Sequence, residues 1–428
     1  MSEPDATSLP DERRRFRRIA GAGAAFQGGT AAVDSATVVA SLVFQLTGSA
    51  FAVGFASAAL RLGWLLPQLV VGYLAERTDR RMPFYVFGAY GRAACLAAIA
   101  VLLWWGSDLP QFNWPPVPLA VGFLVLWTLY AFVSGVVAVP YNDIVGRSIR
   151  SEARSRMLAW RFFGGGLIAL AVAGFVNLTI DVMPLLLAHA AIFALAAFLM
   201  VLSSTLFVAA GEPAMPERRP DHSMPQDVGS FLAGGWDVFR DDTRFRLFLY
   251  AQWLGGATLM ALPFYVLAAS ERGIGAADIG ILLGAQTAGA LMSNPLWGWL
   301  GDGAGKLTML RIVAAVRMIP PVIVLGLLET ESGLIGFALL FIVIGAMMNG
   351  VTIGYLGYLM EISPDDRRPA YSAYFNALAS PAALLPLLGA GFVAVISIHA
   401  VFAAAILAAL WQVYLLSRIS RLPGQAAP

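Results

Sequence analysis

Few side chains in this sequence could do chemistry, and those few sit where charge is expensive. Asp34, Arg61, Arg92 and Arg317 each interrupt a long apolar run. An ionisable group deep in such a run marks a functional position by default. Asp34 is the one acid far from both ends of its run, and two readings of it stay open. It can be a carboxylate that takes up and releases a proton, its affinity raised by burial and lowered by a nearby Arg. Alternatively it is a fixed partner of Arg61 or Arg92, although a buried ion pair is a poor stabiliser. Arg92 and Arg317 can face one anion as a pair of guanidiniums, or each can pair locally. Arg161 lies about one turn from the end of its run, and His189 is read as a packing residue. One Cys, Cys95, and three His exclude a multi-Cys metal site and a His-rich cluster. No nucleophile–base pair emerges, so an enzyme is not expected, and no cofactor or metal is. The stretch Gly301-Asp302-Gly303-Ala304-Gly305-Lys306-Leu307-Thr308 imitates a phosphate-binding loop, but the motif needs Gly at position 300 and a hydroxyl at 307. Leucines stand at both.

The elements that must carry these residues follow from hydropathy. The 428 residues are 59% hydrophobic and only 13% charged, where a soluble domain carries about 25% charged residues. A bilayer-crossing helix takes about 20 largely apolar residues. On that rule twelve spans are expected, near 19–46, 50–75, 82–105, 117–141, 157–180, 184–208, 244–269, 277–300, 307–328, 333–360, 370–392 and 394–417. The first run is too long for the roughly 7–15-residue core of a cleaved export signal. Basic residues then test the count. With the N-terminus inside, the inner segments hold Arg13 to Arg18, Arg77, Arg80, Arg81, Arg147, Arg150, Arg154, Arg156, Arg218, Arg219, Arg240, Arg244, Lys306, Arg367, Arg368, Arg418 and Arg421. The opposite loops carry only Arg272. The expected organisation is an N-terminal tail (1–18), a six-helix bundle (19–208), a polar central loop (209–243), a second six-helix bundle (244–417) and a C-terminal tail (418–428).

The halves repeat. At an offset near 226, Gly28-Gly29 falls on Gly255-Gly256 and Gly54 on Gly280. Gly72-Tyr73-Leu74-Ala75-Glu76 falls on Gly298-Trp299-Leu300-Gly301-Asp302, Arg92 near Arg317, and Arg61 on Thr287. At an offset of 213, Ile149, Glu152, Arg154 and Phe162 fall on Ile362, Asp365, Arg367 and Phe375. Internal symmetry of this kind is common in membrane transporters.

The loop Gly72-Tyr73-Leu74-Ala75-Glu76-Arg77-Thr78-Asp79-Arg80-Arg81 resembles the signature loop of the major facilitator superfamily, with Glu76 in place of its aspartate and Asp79 in place of its glycine. A degenerate copy from Gly298 to Lys306 sits where that family repeats it. The resemblance implies an all-α integral membrane fold of twelve transmembrane helices in two pseudo-symmetric six-helix bundles, rocking about a central site. It further implies a monomeric secondary active transporter in a bacterial inner membrane, with both termini cytoplasmic. Such a protein takes a small-molecule substrate and a proton or another cation, with export the favoured direction, and has no nucleic-acid partner. A sugar or organic-anion uptake symporter, or a non-transporting receptor or scaffold, is the alternative. Gly72, Glu76, Arg77, Asp79, Arg80, Arg81, Asp143, Gly298 and Asp302 would then form a gate loop that latches the bundles. The other reading is a basic loop that only sets topology. Pro140-Tyr141-Asn142-Asp143 to Trp160-Arg161-Phe162-Phe163 looks somewhat like the sugar–cation symporter branch. Gln27, Gln252, Tyr265, Asn294, Asn349 and Asn376 are candidate cavity-lining residues, with helix-to-helix hydrogen bonding as the other use of such amides.

Overall fold

Long apolar runs must satisfy every backbone amide internally when no water is present, which favours helices. The computed structural model describes residues 8–76, 78, 80–108, 116–149, 151–213, 228–303, 305–330, 333–363 and 368–422. Among these no strand forms. The helices are α1 (Ser8–Ala32), α2 (Val38–Thr47), α3 (Ala50–Glu76), α4 (Met82–Asp108), α5 (Pro116–Gly135), α6 (Ala138–Ser148), α7 (Ser151–Val182) and α8 (Leu185–Ala210). They continue with α9 (Val228–Asp241), α10 (Thr243–Leu259), α11 (Leu262–Glu271), α12 (Ile279–Gly303), α13 (Lys306–Val316) and α14 (Ile319–Glu329). The last are α15 (Leu334–Ile362), α16 (Arg368–Ala379), α17 (Leu385–Val395) and α18 (Ile398–Ile419).

Several expected spans are broken, and the breaks have a cause. Proline removes the amide that would bond the carbonyl four residues earlier. Pro140, Pro263 and Pro320 each lie four residues after a helix end or break, at Val136, Leu259 and Val316. The α1–α2 break has no proline; Asp34 sits there instead. Pro67 and Pro295 are carried inside α3 and α12 without ending them. Among the described residues nine helical segments are long and apolar enough to cross a membrane, and Val38–Thr47 and Leu334–Met348 are shorter apolar helices.

The chain divides into two compact units. The first comprises Met1–Gly48, Ala59–Pro220 and Ala276–Gly284; the second comprises Ser49–Ala58, Asp221–Gly275 and Ala285–Pro428. In the first, α1 packs on α7 and α8, and α4 on α8 and α5. Tyr85, Ile144, Met157 and Phe207 form part of its core. In the second, α10 packs on α18, and α13 on α15 and α18, around Phe245, Phe248, Tyr358 and Phe375.

The internal repeat reappears in the packing. A Cβ at Gly135 on α5 would overlap the Gly63 carbonyl of α3, so these backbones touch. In the second unit a Cβ at Gly345 on α15 would overlap the Gln286 carbonyl of α12, and one at Gly289 the Ile342 carbonyl. Gly63 and Gly289 are related by the same offset of 226 that relates Gly54 to Gly280. Small residues at a helix crossing let backbones approach in this way.

The polar central segment holds a helix that was not expected. Pro213, Pro216, Pro220 and Pro225 precede it in the sequence, and α9 begins after the last of them. Gly234 and Gly235 of α9 leave room for the Tyr374 ring of α16.

Candidate functional site

The first unit encloses a cavity of about 180 Å³. Helical periodicity builds it. Tyr85 and Arg92 are two turns apart on one face of α4, Gly23 and Phe26 one turn apart on α1, and Ala138 and Tyr141 one turn apart on α6. Arg161 reaches in from α7. Arg92 is 3% exposed, and its guanidinium lies 4.6 Å from the Phe26 ring centroid. Its Nε has no hydrogen-bond partner. Arg161 stands 5.9 Å from the same Phe26 ring and 5.4 Å from that of Tyr141. It donates from Nη1 to the Tyr141 hydroxyl at 2.9 Å, and its Nε is also unpartnered. Its aliphatic stem crosses α1 at Gly23, where a Cβ would collide with it.

Among the described residues the cavity lining contains no carboxylate. Burying a charge without its counter-charge costs several kcal/mol, and a desolvated ring contact returns only about 2 kcal/mol. Two guanidiniums on one ring are therefore electrostatically unfinished, and the open space beside them is where a negative charge would complete them.

The other sequence candidates divide as follows. Asp34 Oδ1 accepts from the Ala36 and Thr37 amides at 3.0 and 2.9 Å and from the Thr37 hydroxyl at 2.8 Å, which holds the turn that precedes α2. Arg61 is half-buried on α3. Arg317 belongs to the second unit, where it donates to Gln412 Oε1 at 2.9 Å across Gly255. The partner found with Arg92 is thus Arg161, a residue of the same unit. His189 is 1% exposed and bonds the Leu185 carbonyl through Nδ1 at 2.8 Å. Gln27 lies against Gly165, Gln252 is half-buried on α10, and Asn294 is half-buried on α12. Tyr265 stacks on Phe402 at 5.1 Å and is 3% exposed, and Asn376 accepts from the Tyr355 hydroxyl at 3.1 Å. The Asn349 side chain lies outside the described residues.

Of the gate loop, Arg77 and Asp79 lie outside the described residues, as do the side chains of Glu76 and Asp302; Gly72 and Gly298 are described only as helical backbone, and Arg80 is exposed. The described members meet within the first unit. Arg81 Nε lies 3.4 Å from Asp143, and Arg147 lies 2.7 Å from Asp143 and 2.8 Å from Glu212. Glu212 also accepts from the Arg81 and Met82 amides at 2.8 and 2.9 Å, capping the start of α4 with the charge its dipole favours. Burial pushes the Glu212 carboxyl upward, but the bonds from Arg147, Arg81 and Met82 outweigh it and hold the group below the usual carboxylate range. Sequence reading missed Glu212. Its one signal was an acid directly after Gly211, the residue that ends α8 with φ +79°.

Against this geometry, the sequence profile described as MFS/sugar transport protein matches residues 37–361. The chain belongs to that family. It is a multi-pass membrane transporter of MFS type. No curated protein sequence matches it. Among solved structures, nucleoside transporter NupG is 13% identical over 95% of this chain and 99% of its own, with a TM-score of 0.67. A POT family transporter in complex with a thioalcohol-conjugated peptide is 11% identical over 95% and 96%, with a TM-score of 0.69. A bacterial homologue of the iron transporter ferroportin, outward-facing, is 12% identical over 95% and 100%, with a TM-score of 0.65. At such identities the likeness is one of fold, so the cargo of this MFS chain has to be read from its own side chains.

Proposed function

We propose that the protein is a secondary active transporter that moves a small solute by alternating access, with the Arg92–Arg161 cavity as its solute site. In this reading twelve spans in two six-helix halves carry that cycle, and the distribution of basic residues supports cytoplasmic termini in a bacterial inner membrane. The observation that carries the reading is Arg92, a nearly fully buried cation lining a cavity. A scaffold on the same fold has no use for such a group, whereas a transporter needs a site that binds and releases.

Proton coupling is assigned to Asp34. Its carboxylate holds the turn between α1 and α2, so a change in its charge acts where the helix is already interrupted. Substrate and proton are then thermodynamically linked.

The test is flux in proteoliposomes under an imposed pH gradient, across anionic, neutral and cationic solutes. The reading expects gradient-driven movement of at least one solute and loss of the pH dependence in Asp34→Asn. A preparation that moves neither solute nor protons contradicts transport, and an unchanged pH dependence in Asp34→Asn contradicts the coupling role.

A further inference from the structure

We infer that this cavity takes a small organic acid: an anionic head held by Arg92 and Arg161, and a flat apolar body lying along the ring-bearing wall. The inference rests on the transporter reading only for what the binding is used for; the site itself stands on its geometry.

Charge decides the head. Both guanidiniums stack on one ring, Phe26, at 4.6 and 5.9 Å. Among the described residues neither Nε has a hydrogen-bond partner, and no carboxylate lines the cavity. A planar guanidinium offers paired donors that match the two oxygens of a carboxylate or phosphonate. The Tyr141 hydroxyl already accepts from Arg161, so its own proton is directed to another acceptor, and an anionic oxygen fits that role. A cation is repelled by the same pair.

Composition decides the body. Beside the charged groups the cavity is walled by Ala22, Phe26, Trp64, Val137 and Ala138, with polar groups at Tyr85, Tyr141, Asn142 and Ser203. A sugar-like polyol presents many hydroxyls that each need donors and acceptors, and unpaired ones are costly on burial. Two of the four neutral polar groups are already engaged, Tyr141 by Arg161 and Ser203 by the Ala22 carbonyl, so a polyol with hydroxyls all round is a poor match despite the sugar in the family's description. At about 180 Å³ the space is below the roughly 300–1,000 Å³ of drug-sized sites, which suits one ring or a short chain.

The experiment is equilibrium binding to the purified full-length protein in detergent, by calorimetry, using benzoate, phenylphosphonate, benzamide, glucose and benzyltrimethylammonium as probes. The wild type is expected to bind benzoate or phenylphosphonate, the stronger of the two identifying the preferred head group, and to ignore the other three. Arg92→Gln and Arg161→Gln are each expected to weaken that binding tenfold or more, and Arg317→Gln to leave it within twofold. Binding of benzamide, glucose or the cation as tight as that of the acids overturns the inference, and this selectivity is read on the wild type even where a variant fails to fold. Absence of binding by both acids overturns it too, as does an equal loss in Arg317→Gln. Acid binding without any flux leaves the site standing and removes transport; flux confined to neutral or cationic solutes does the reverse.

Discussion

At the scale of single residues, the site was half legible. Arg92 announced itself by interrupting an apolar run, which is costly in any fold. Its partner did not. Symmetry between the halves pointed to Arg317, while Arg161 was placed only by its distance of about one turn from the end of its run. Which Arg meets which depends on helix rotation, and that is fixed by packing partners such as Gly23, whose missing Cβ admits the Arg161 stem. Tyr141→Phe should therefore weaken anion binding roughly fivefold, for a hydrogen bond worth about 1 kcal/mol, and Gly23→Val should weaken it further by displacing Arg161; both are read by calorimetry. Asp34 separates its two roles by substitution. Asp34→Ala loses the oxygen that holds the turn before α2 and should destabilise by about 1 kcal/mol for each net hydrogen bond lost, while Asp34→Asn retains an accepting oxygen. Thermal unfolding in detergent should show the lower midpoint in Asp34→Ala, and equal midpoints would remove the turn-holding role.

At the scale of elements, the helices were readable from apolar length and their breaks from proline. The break at Asp34 and the helix α9 were not, since no proline marks the first and four prolines obscured the second. The cluster of Arg81, Asp143, Arg147 and Glu212 ties the starts and ends of α4, α6 and α8 together. The Glu212 carboxyl is held below the usual range, so its stabilisation is complete above the ordinary carboxylate pKa and is lost as pH falls through the lower folded value. Glu212→Gln should accordingly flatten the fall in unfolding temperature between neutral and acidic pH relative to wild type; superimposable profiles would show that the carboxylate contributes nothing there. The glycine crossings make a paired prediction. Gly63→Val and Gly289→Val each force a side chain into a backbone contact, and overpacking of that kind costs about 1–3 kcal/mol. Both should lower the monodisperse fraction on size-exclusion chromatography, and by similar amounts if the two halves use the crossing alike.

At the scale of the whole molecule, membrane class and family were legible because bilayer physics leaves few options: long apolar runs must become helices, and the loop from Gly72 carries the family resemblance in the sequence. The cargo was not, because the same fold carries nucleosides, peptides and iron in the proteins it resembles. The cargo therefore has to be read from this chain's own cavity, which among the described residues is lined by two cations and no acid. The most direct test is the current carried by wild-type and Arg92→Gln proteoliposomes on a solid-supported membrane after a jump in benzoate or phenylphosphonate concentration. A saturable wild-type current for at least one acid that is abolished in Arg92→Gln, in a variant that still reconstitutes, is the predicted result. A current of equal size in the variant, or none in the wild type with either acid, would contradict the account.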